Sequence, residues 1–218
     1  VLEMVVQMAY SIPGQIMEFG VAQGNSTRVI RRTLSRCESV WHESPKKKIY
    51  ACDSFEGLQE RYENAEVGAF ACEVPQIPGV HIVKGFYDQT LTPELANEIG
   101  KVSFASLDAD LYSSTLTVLR WLGPLLGSGS LLLFDEFLGE KESEKRAFED
   151  WKQESGIETI LLAHLLRDPS AWGENLDARE LHQVVRKEPL QRENEGPYLP
   201  DRISGVARRA RKRLYKMF

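Results

Sequence analysis

The residues with chemistry to offer stand where apolar runs stop. Glu18 lies in the run 16–19, just ahead of Gly20-Val21-Ala22-Gln23-Gly24. Asp53 follows the run 49–52, Gly85 the run 80–84, Asp108 the run 102–107, and Asp135-Glu136 the run 130–134. A carboxylate ending a strand, as at Asp53, can accept both hydroxyls of a ribose, with Ser54 and Phe55 packing an adenine. The alternative is that Asp53 merely begins a turn. Asp108, Asp135 and Glu136 put three oxygen donors at adjacent strand ends. That set suits Mg²⁺, which takes few protein carboxylates and keeps positions for exchangeable ligands. Such an ion can bind two neighbouring substrate oxygens and lower a hydroxyl pKa. Without a cation, buried like charges raise one another's pKa. Asp110 can share the site, cap the next helix or act as a base. The bland alternative makes Asp110 and Glu136 helix-cap or first-turn residues, with no metal.

The stretch 15–27, QIMEFGVAQGNST, is the other chemical feature. It reads as a strand, a glycine turn and a helix start with Asn25, Ser26 and Thr27 available as caps. Gly20 and Gly24 let the backbone bend and approach a ligand. The free N–H groups of a helix start favour accepting groups. Glu18 beside the turn repels a diphosphate and suits a ligand with a positive group. The pattern G-x-x-x-G also differs from the G-x-G-x-x-G of dinucleotide binders. A nucleotide-type cofactor carrying a cation is the expectation; an ordinary strand–helix turn is the alternative.

Alternating elements must position these groups. Strands are predicted at 16–19, 49–52, 80–84, 102–107 and 130–134, then at 157–165 and 181–186. Helices are predicted at 1–10, 27–36, 92–99, 111–126 and 143–155. Residues 56–79, rich in Glu, Gly and Pro, read as a helical fragment plus loop. Residues 127–129 read as a turn, and Trp172 and Gly173 lie in a loop between the last strands. Strands alternating with helices specify a mostly parallel sheet covered on both faces. The late strand pair suggests an antiparallel finish. Such sheets bind ligands at the carboxyl ends of their strands, where these acids collect.

Composition sets bounds. The 218 residues are 42% hydrophobic and 27% charged, as in a soluble α/β protein with one full core. Apolar runs are too short to span a bilayer. No signal-peptide pattern is read, and a start at Val1 suits a trimmed chain or part of a longer protein. Cys37, Cys52 and Cys72 form no CxxC and read as reduced thiols, which implies a cytoplasmic setting. His42, His81, His164 and His182 show no ligand spacing. The net charge of −5 is asymmetric, with seven basic residues and one acidic from 201 to 218. That tail reads as a basic amphipathic segment apart from a 1–200 domain. A helix docked on the domain and peripheral contact with an anionic membrane are both open for it. It lacks a recognition motif or aromatic interleaving, so no nucleic acid partner is expected.

In order, IPGQIMEFGVAQGNST, YACDSFEGL, VKGFYDQTL, SLDADLYSST and LLLFDEF resemble class I S-adenosylmethionine-dependent methyltransferases, specifically the macrocin O-methyltransferase-like group acting on sugar hydroxyls. The resemblance covers residues 13–137. It implies a doubly wound, Rossmann-like, seven-stranded sheet with an antiparallel last strand. It implies that Glu18, Gly20, Gly24 and Ser26 hold the methionine part of S-adenosylmethionine. Asp53, Ser54 and Phe55 would bind ribose and adenine, with Gly85-Phe86 beside the adenine. Related metal-dependent enzymes place Mg²⁺ on residues matching Asp108, Asp135 and Glu136, and Asp108 would also face the cofactor and take the proton.

The sequence thus points to an O-methyltransferase whose acceptor is a hydroxyl of a sugar or other small molecule. A homo-oligomer is compatible with it. Two rivals stay open: a nicotinamide oxidoreductase on a similar sheet, and a non-catalytic cofactor-binding module docking through the basic tail.

Overall fold

The computed structural model describes residues 1–41, 46–62, 64–137, 143–166 and 178–185. All belong to the first of the chain's two units, Val1–Lys187. The basic tail and the Trp172–Gly173 loop lie outside the described residues.

Helix α1 (Leu2–Tyr10) leads to β1 (Gln15–Phe19), α2 (Asn25–Val40), β2 (Ile49–Asp53) and β3 (His81–Lys84). Two short helices follow, α3 (Tyr87–Thr90) and α4 (Pro93–Ile99). Then come β4 (Val102–Leu107), α5 (Tyr112–Leu122), β5 (Leu126–Phe134), α6 (Ser143–Ser155), β6 (Glu158–Leu166) and β7 (Ala178–Val185). The sheet order is β3-β2-β1-β4-β5-β7-β6. Neighbours from β3 to β5 pair in parallel, and β7 runs antiparallel to both β5 and β6. The expected seven-stranded, mostly parallel sheet with an antiparallel last strand is therefore the fold.

Central strands are nearly continuous apolar runs because both faces are covered. Met17, Phe19, Ala105, Leu132 and Phe134 pack with α5 and α6 through Leu119, Leu122, Phe148 and Trp151. Ile16, Phe104, Leu131 and Leu133 pack the other way, with Val5, Val6, Ile30 and Leu34 of α1 and α2.

Three predicted elements differ. The helix predicted at 111–126 ends at Leu122, and residues 123–125 form a 3-10 turn holding Pro124 near its start. Proline has no N–H to continue the helix. Residues 127–129, predicted as a turn, lie inside β5, where the register against β4 shifts between Val102 and Phe104. Among its described residues, the segment 56–79 contains no helix. It folds back through a Tyr62–Ala65 bridge, with Gly57, Gly68 and Gly79 at positive φ.

Candidate active site at the carboxyl edge

The parallel ladder runs one residue past the strands. Gly20 N–H donates to the Cys52 carbonyl at 3.1 Å, and Gly85 N–H to the Asp53 carbonyl at 2.9 Å. Asp108 N–H donates to the Phe19 carbonyl, and Asp135 N–H to the Leu107 carbonyl, each at 2.9 Å. Gly20, Asp53, Gly85, Asp108 and Asp135 thus form one row along the carboxyl edge. The order reverses between β1 and β4, the switch point where such sheets bind ligands.

Glu18 is buried at the end of β1. The Thr27 hydroxyl donates to it at 2.5 Å, and Ser26 also hydrogen-bonds it. Burial pushes its pKa from 4.5 up to about 7; the two hydroxyls hold it down, and Asp53 adds a smaller upward push. These hydroxyls do not cap α2 as the sequence suggested. The N-cap is Gly24, left-handed at φ 77°, with no side-chain cap bond. Ser26 and Thr27 are drawn to Glu18, whose buried oxygens need donors.

Gly20 is required by contact as well as by its φ of +86°. A Cβ there would lie 1.8 Å from the Asp108 carbonyl oxygen. The turn after β1 is therefore seated directly on the end of β4. A Cβ on Gly24 would meet Ile77 Cδ1 at 2.7 Å, so the 56–79 segment reaches that side of the turn.

Asp53 organises the turn. Its Oδ2 accepts from the N–H groups of Val21 (2.7 Å) and Ala22 (2.9 Å), and its Oδ1 accepts from Phe55 N–H at 2.8 Å. These contacts tie Asp53 both to the turn after β2 and to the glycine turn after β1. Ser54 Oγ accepts from Glu56 N–H at 3.1 Å. Phe55 is buried with Val21 and Ala51, at φ +59°. Gly85, at φ +137°, precedes Phe86, the N-cap of α3. Ala22, Phe55 and Asp110 are non-glycine residues at positive φ on this edge. Backbone strain of this kind collects at functional sites.

Asp108 and Asp135 stand at adjacent strand ends, but the expected metal trio does not assemble. Among the described residues no three His, Cys, Asp or Glu side chains converge to hold an ion. Asp135 instead pairs with Arg179 of β7. The guanidinium already offsets charge that the sequence assigned to a cation.

Sequence reasoning missed three residues here. Arg179 is one. Glu180 is another: it sits between His164 Nδ1 (2.9 Å) and His182 Nε2 (2.8 Å). His182 lies against Phe134, Phe137 and Phe148, and burial lowers its pKa. The third is Glu144 in the first turn of α6. Its Oε1 accepts from Ala109 N–H (3.3 Å) and its Oε2 from Glu136 N–H (3.1 Å). Burial, then Asp108, push its pKa well above the usual carboxylate range, against the two N–H bonds. A signal existed: Glu144, Ala147, Phe148 and Trp151 share the buried face of α6.

The arrangement offers a carboxylate-lined glycine turn for a cationic ligand and a second acidic edge beside it. A family profile described as a methyltransferase domain matches residues 17–137, more than half the chain. The chain belongs to this methyltransferase domain family. A curated relative from Streptomyces olivaceus is named 8-demethyl-8-(2,3-dimethoxy-alpha-L-rhamnosyl)-tetracenomycin-C 4'-O-methyltransferase. It is 25% identical over 152 residues, covering 60% of this chain. The chain spans about half, 55%, of that relative's length. Solved structures share the fold. The O-methyltransferase NovP superposes with a TM-score of 0.61 at 19% identity, covering 85% of this chain and 79% of its own. The calicheamicin methyltransferase CalS11 gives 0.61 at 23%, covering 84% and 76%.

Proposed function

We propose that this protein is an S-adenosylmethionine-dependent O-methyltransferase acting on a sugar hydroxyl of a small molecule. The carrying observation is the buried Glu18 beneath a glycine turn that is seated on Asp108. A buried carboxylate of raised pKa is costly unless a positive ligand meets it. S-adenosylmethionine brings both an ammonium and a sulfonium. On this reading Gly20, Gly24 and Ser26 shape the methionine end. Asp53 orders the turn through Oδ2 and keeps one lone-pair site, on Oδ1, for a ribose hydroxyl. Residues 1–200 carry the reaction, and 201–218 are an appendage. The tetracenomycin-glycoside relative supports the sugar acceptor.

The reaction is an in-line displacement. An acceptor oxygen bonds to the methyl carbon as the carbon–sulfur bond breaks, and S-adenosylhomocysteine leaves as a neutral thioether. The hydroxyl proton goes to Asp108. Positioning supplies much of the rate, because the donor is already activated. Mg²⁺ assistance rests on donor type alone. Hard oxygens suit the ion, but Asp108, Asp135 and Glu136 as placed do not converge, and Asp135 is engaged by Arg179. As placed, with Asp135 on Arg179, these residues do not present a cation site, so no step is routed through one.

The test is calorimetric titration with S-adenosylhomocysteine, followed by turnover with glycoside acceptors. Micromolar binding and methylated product are expected, and a folded sample that binds nothing would sink the reading. In Asp108→Ala, kcat should fall roughly 10²–10⁴-fold, the range for a lost general base. Full activity in that variant would remove the base role.

A further inference from the structure

Glu144 has no part in the reaction as written, yet it joins the two strand ends that face the acceptor. Its two oxygens divide their work. One accepts from Ala109, directly after Asp108, and the other from Glu136, directly after Asp135. One carboxylate therefore spans the ends of β4 and β5. The helix that carries it is held firmly. Ala147, Phe148 and Trp151 are buried in the core with Phe134 and Phe137. The Tyr112 hydroxyl donates to Asp150 at 2.7 Å, and Arg120 forks onto Glu154 at 2.8 and 2.6 Å, tying α5 to α6.

We infer that Glu144 is a positioning residue: it sets the separation and direction of the β4 and β5 ends, and so places Asp108 against the acceptor. The inference rests on the methyltransferase reading given above. A carboxyl side chain suits the task because each of its two oxygens can accept from one of the two facing N–H groups. Glutamine can satisfy one of them and opposes the other with its own donor. An aliphatic side chain leaves both amides, one buried and one part-buried, without that partner, a cost typical of an unmade hydrogen bond. A purely space-filling role at this position would be met by an apolar residue continuing the stripe of Ala147, Phe148 and Trp151. The carboxylate is held there despite burial and despite the neighbouring Asp108 and Asp135.

The test compares wild type with Glu144→Gln in the full chain. Amide hydrogen exchange is read on the free protein, and kcat is read beside the Kd for S-adenosylhomocysteine. The expected result is roughly tenfold faster exchange at Ala109 or Glu136, as befits a lost hydrogen bond. Val21 and Ala22, held by Asp53, should be unchanged. In the same variant kcat should drop ten- to a hundredfold, the scale of an ångström-sized misplacement. The Kd for S-adenosylhomocysteine should stay within about twofold, because the glycine turn keeps its own anchors. Unchanged exchange at both amides, or exchange, Kd and kcat moving together, would overturn the inference. If Glu144→Gln does not fold, Glu144→Asp is read instead. Its carboxylate, withdrawn by one methylene, cannot span both amides, so the same selective pattern is expected, and wild-type values overturn the inference. Wild type that binds no S-adenosylhomocysteine defeats the methyltransferase reading, whereas the exchange result bears on Glu144 alone.

Discussion

A carboxylate that titrates near neutrality makes Glu18 sensitive to pH in two opposite ways. Its pKa is raised on folding, from 4.5 to about 7. The folded state therefore holds a proton that the unfolded state releases between these values. The associated stability is fully present below pH 4.5 and is lost as pH rises through 7. The shift corresponds to roughly 3 kcal/mol at most. Glu18→Gln should match wild type in urea unfolding near pH 4.5 and exceed it at pH 8. Equal midpoints at pH 8 would show that Glu18 is not desolvated. Ligand affinity should run the other way. A cationic cofactor needs the charged form, so wild-type binding should strengthen from pH 6 to 8, and Glu18→Gln should bind more weakly with a flat profile. Gly20 is the second position where one side chain decides the outcome. Gly20→Ala combines φ +86° with a Cβ 1.8 Å from the Asp108 carbonyl oxygen. A loss of about 3 kcal/mol or more in chemical denaturation is expected, and a near-neutral result would mean that the turn can lift off β4.

At the scale of elements, the glycine turn is held from β2 rather than by its own helix. Asp53 supplies two hydrogen bonds to the backbone of the turn across 32 and 31 residues. Asp53→Asn removes one accepting oxygen and turns an amide donor toward an N–H. S-adenosylhomocysteine affinity should fall at least about tenfold, with the unfolding free energy lowered by about 1–3 kcal/mol, the scale of hydrogen bonds to a charged group. Unchanged affinity would mean that the turn is ordered by Gly20 and Gly24 alone. This element also shows what a sequence can disclose. The strand ends at Glu18, Asp53, Asp108 and Asp135 were readable because parallel strands are apolar until they leave the core. The parallel part of the sheet followed from five strands alternating with helices, and the antiparallel finish from a late strand pair with no obvious helix between. Asp53 as a clamp, Arg179 on Asp135 and Glu144 between two loops were not read. Asp53 and Arg179 reach partners more than 30 positions away, and Glu144 reaches 35 positions back to Ala109 as well as 8 to Glu136; the long-range bonds leave no local spacing behind. Only Glu144 left a trace, an acid on an apolar stripe. Propensity misled at α2, where three good capping residues precede the helix body and a glycine takes the cap because a buried carboxylate competes for the hydroxyls.

For the molecule as a whole, a guanidinium and a metal ion are two ways to balance the charge at the acidic edge. β7 enters the sheet beside β5 in the antiparallel direction and pairs Glu180 with Phe134, which brings Arg179 next to Asp135. An arginine there can offset the charge of the β5 end without any ion, and it does so from a strand fixed on both sides. A divalent ion would have to displace that contact and draw Asp108, Asp135 and Glu136 together, so the two arrangements predict different responses to chelation. With Arg179 in place, methyl transfer should persist in EDTA to within about twofold. Arg179→Ala should then cut kcat in EDTA, because Asp135 loses its counter-charge in a partly buried site. Added Mg²⁺ should recover part of that loss by meeting the same oxygens. Wild-type turnover that vanishes in EDTA and returns with Mg²⁺ would show the reverse: that Asp135 leaves Arg179 for the ion, and that the charge on β7 guards a metal site instead of replacing one.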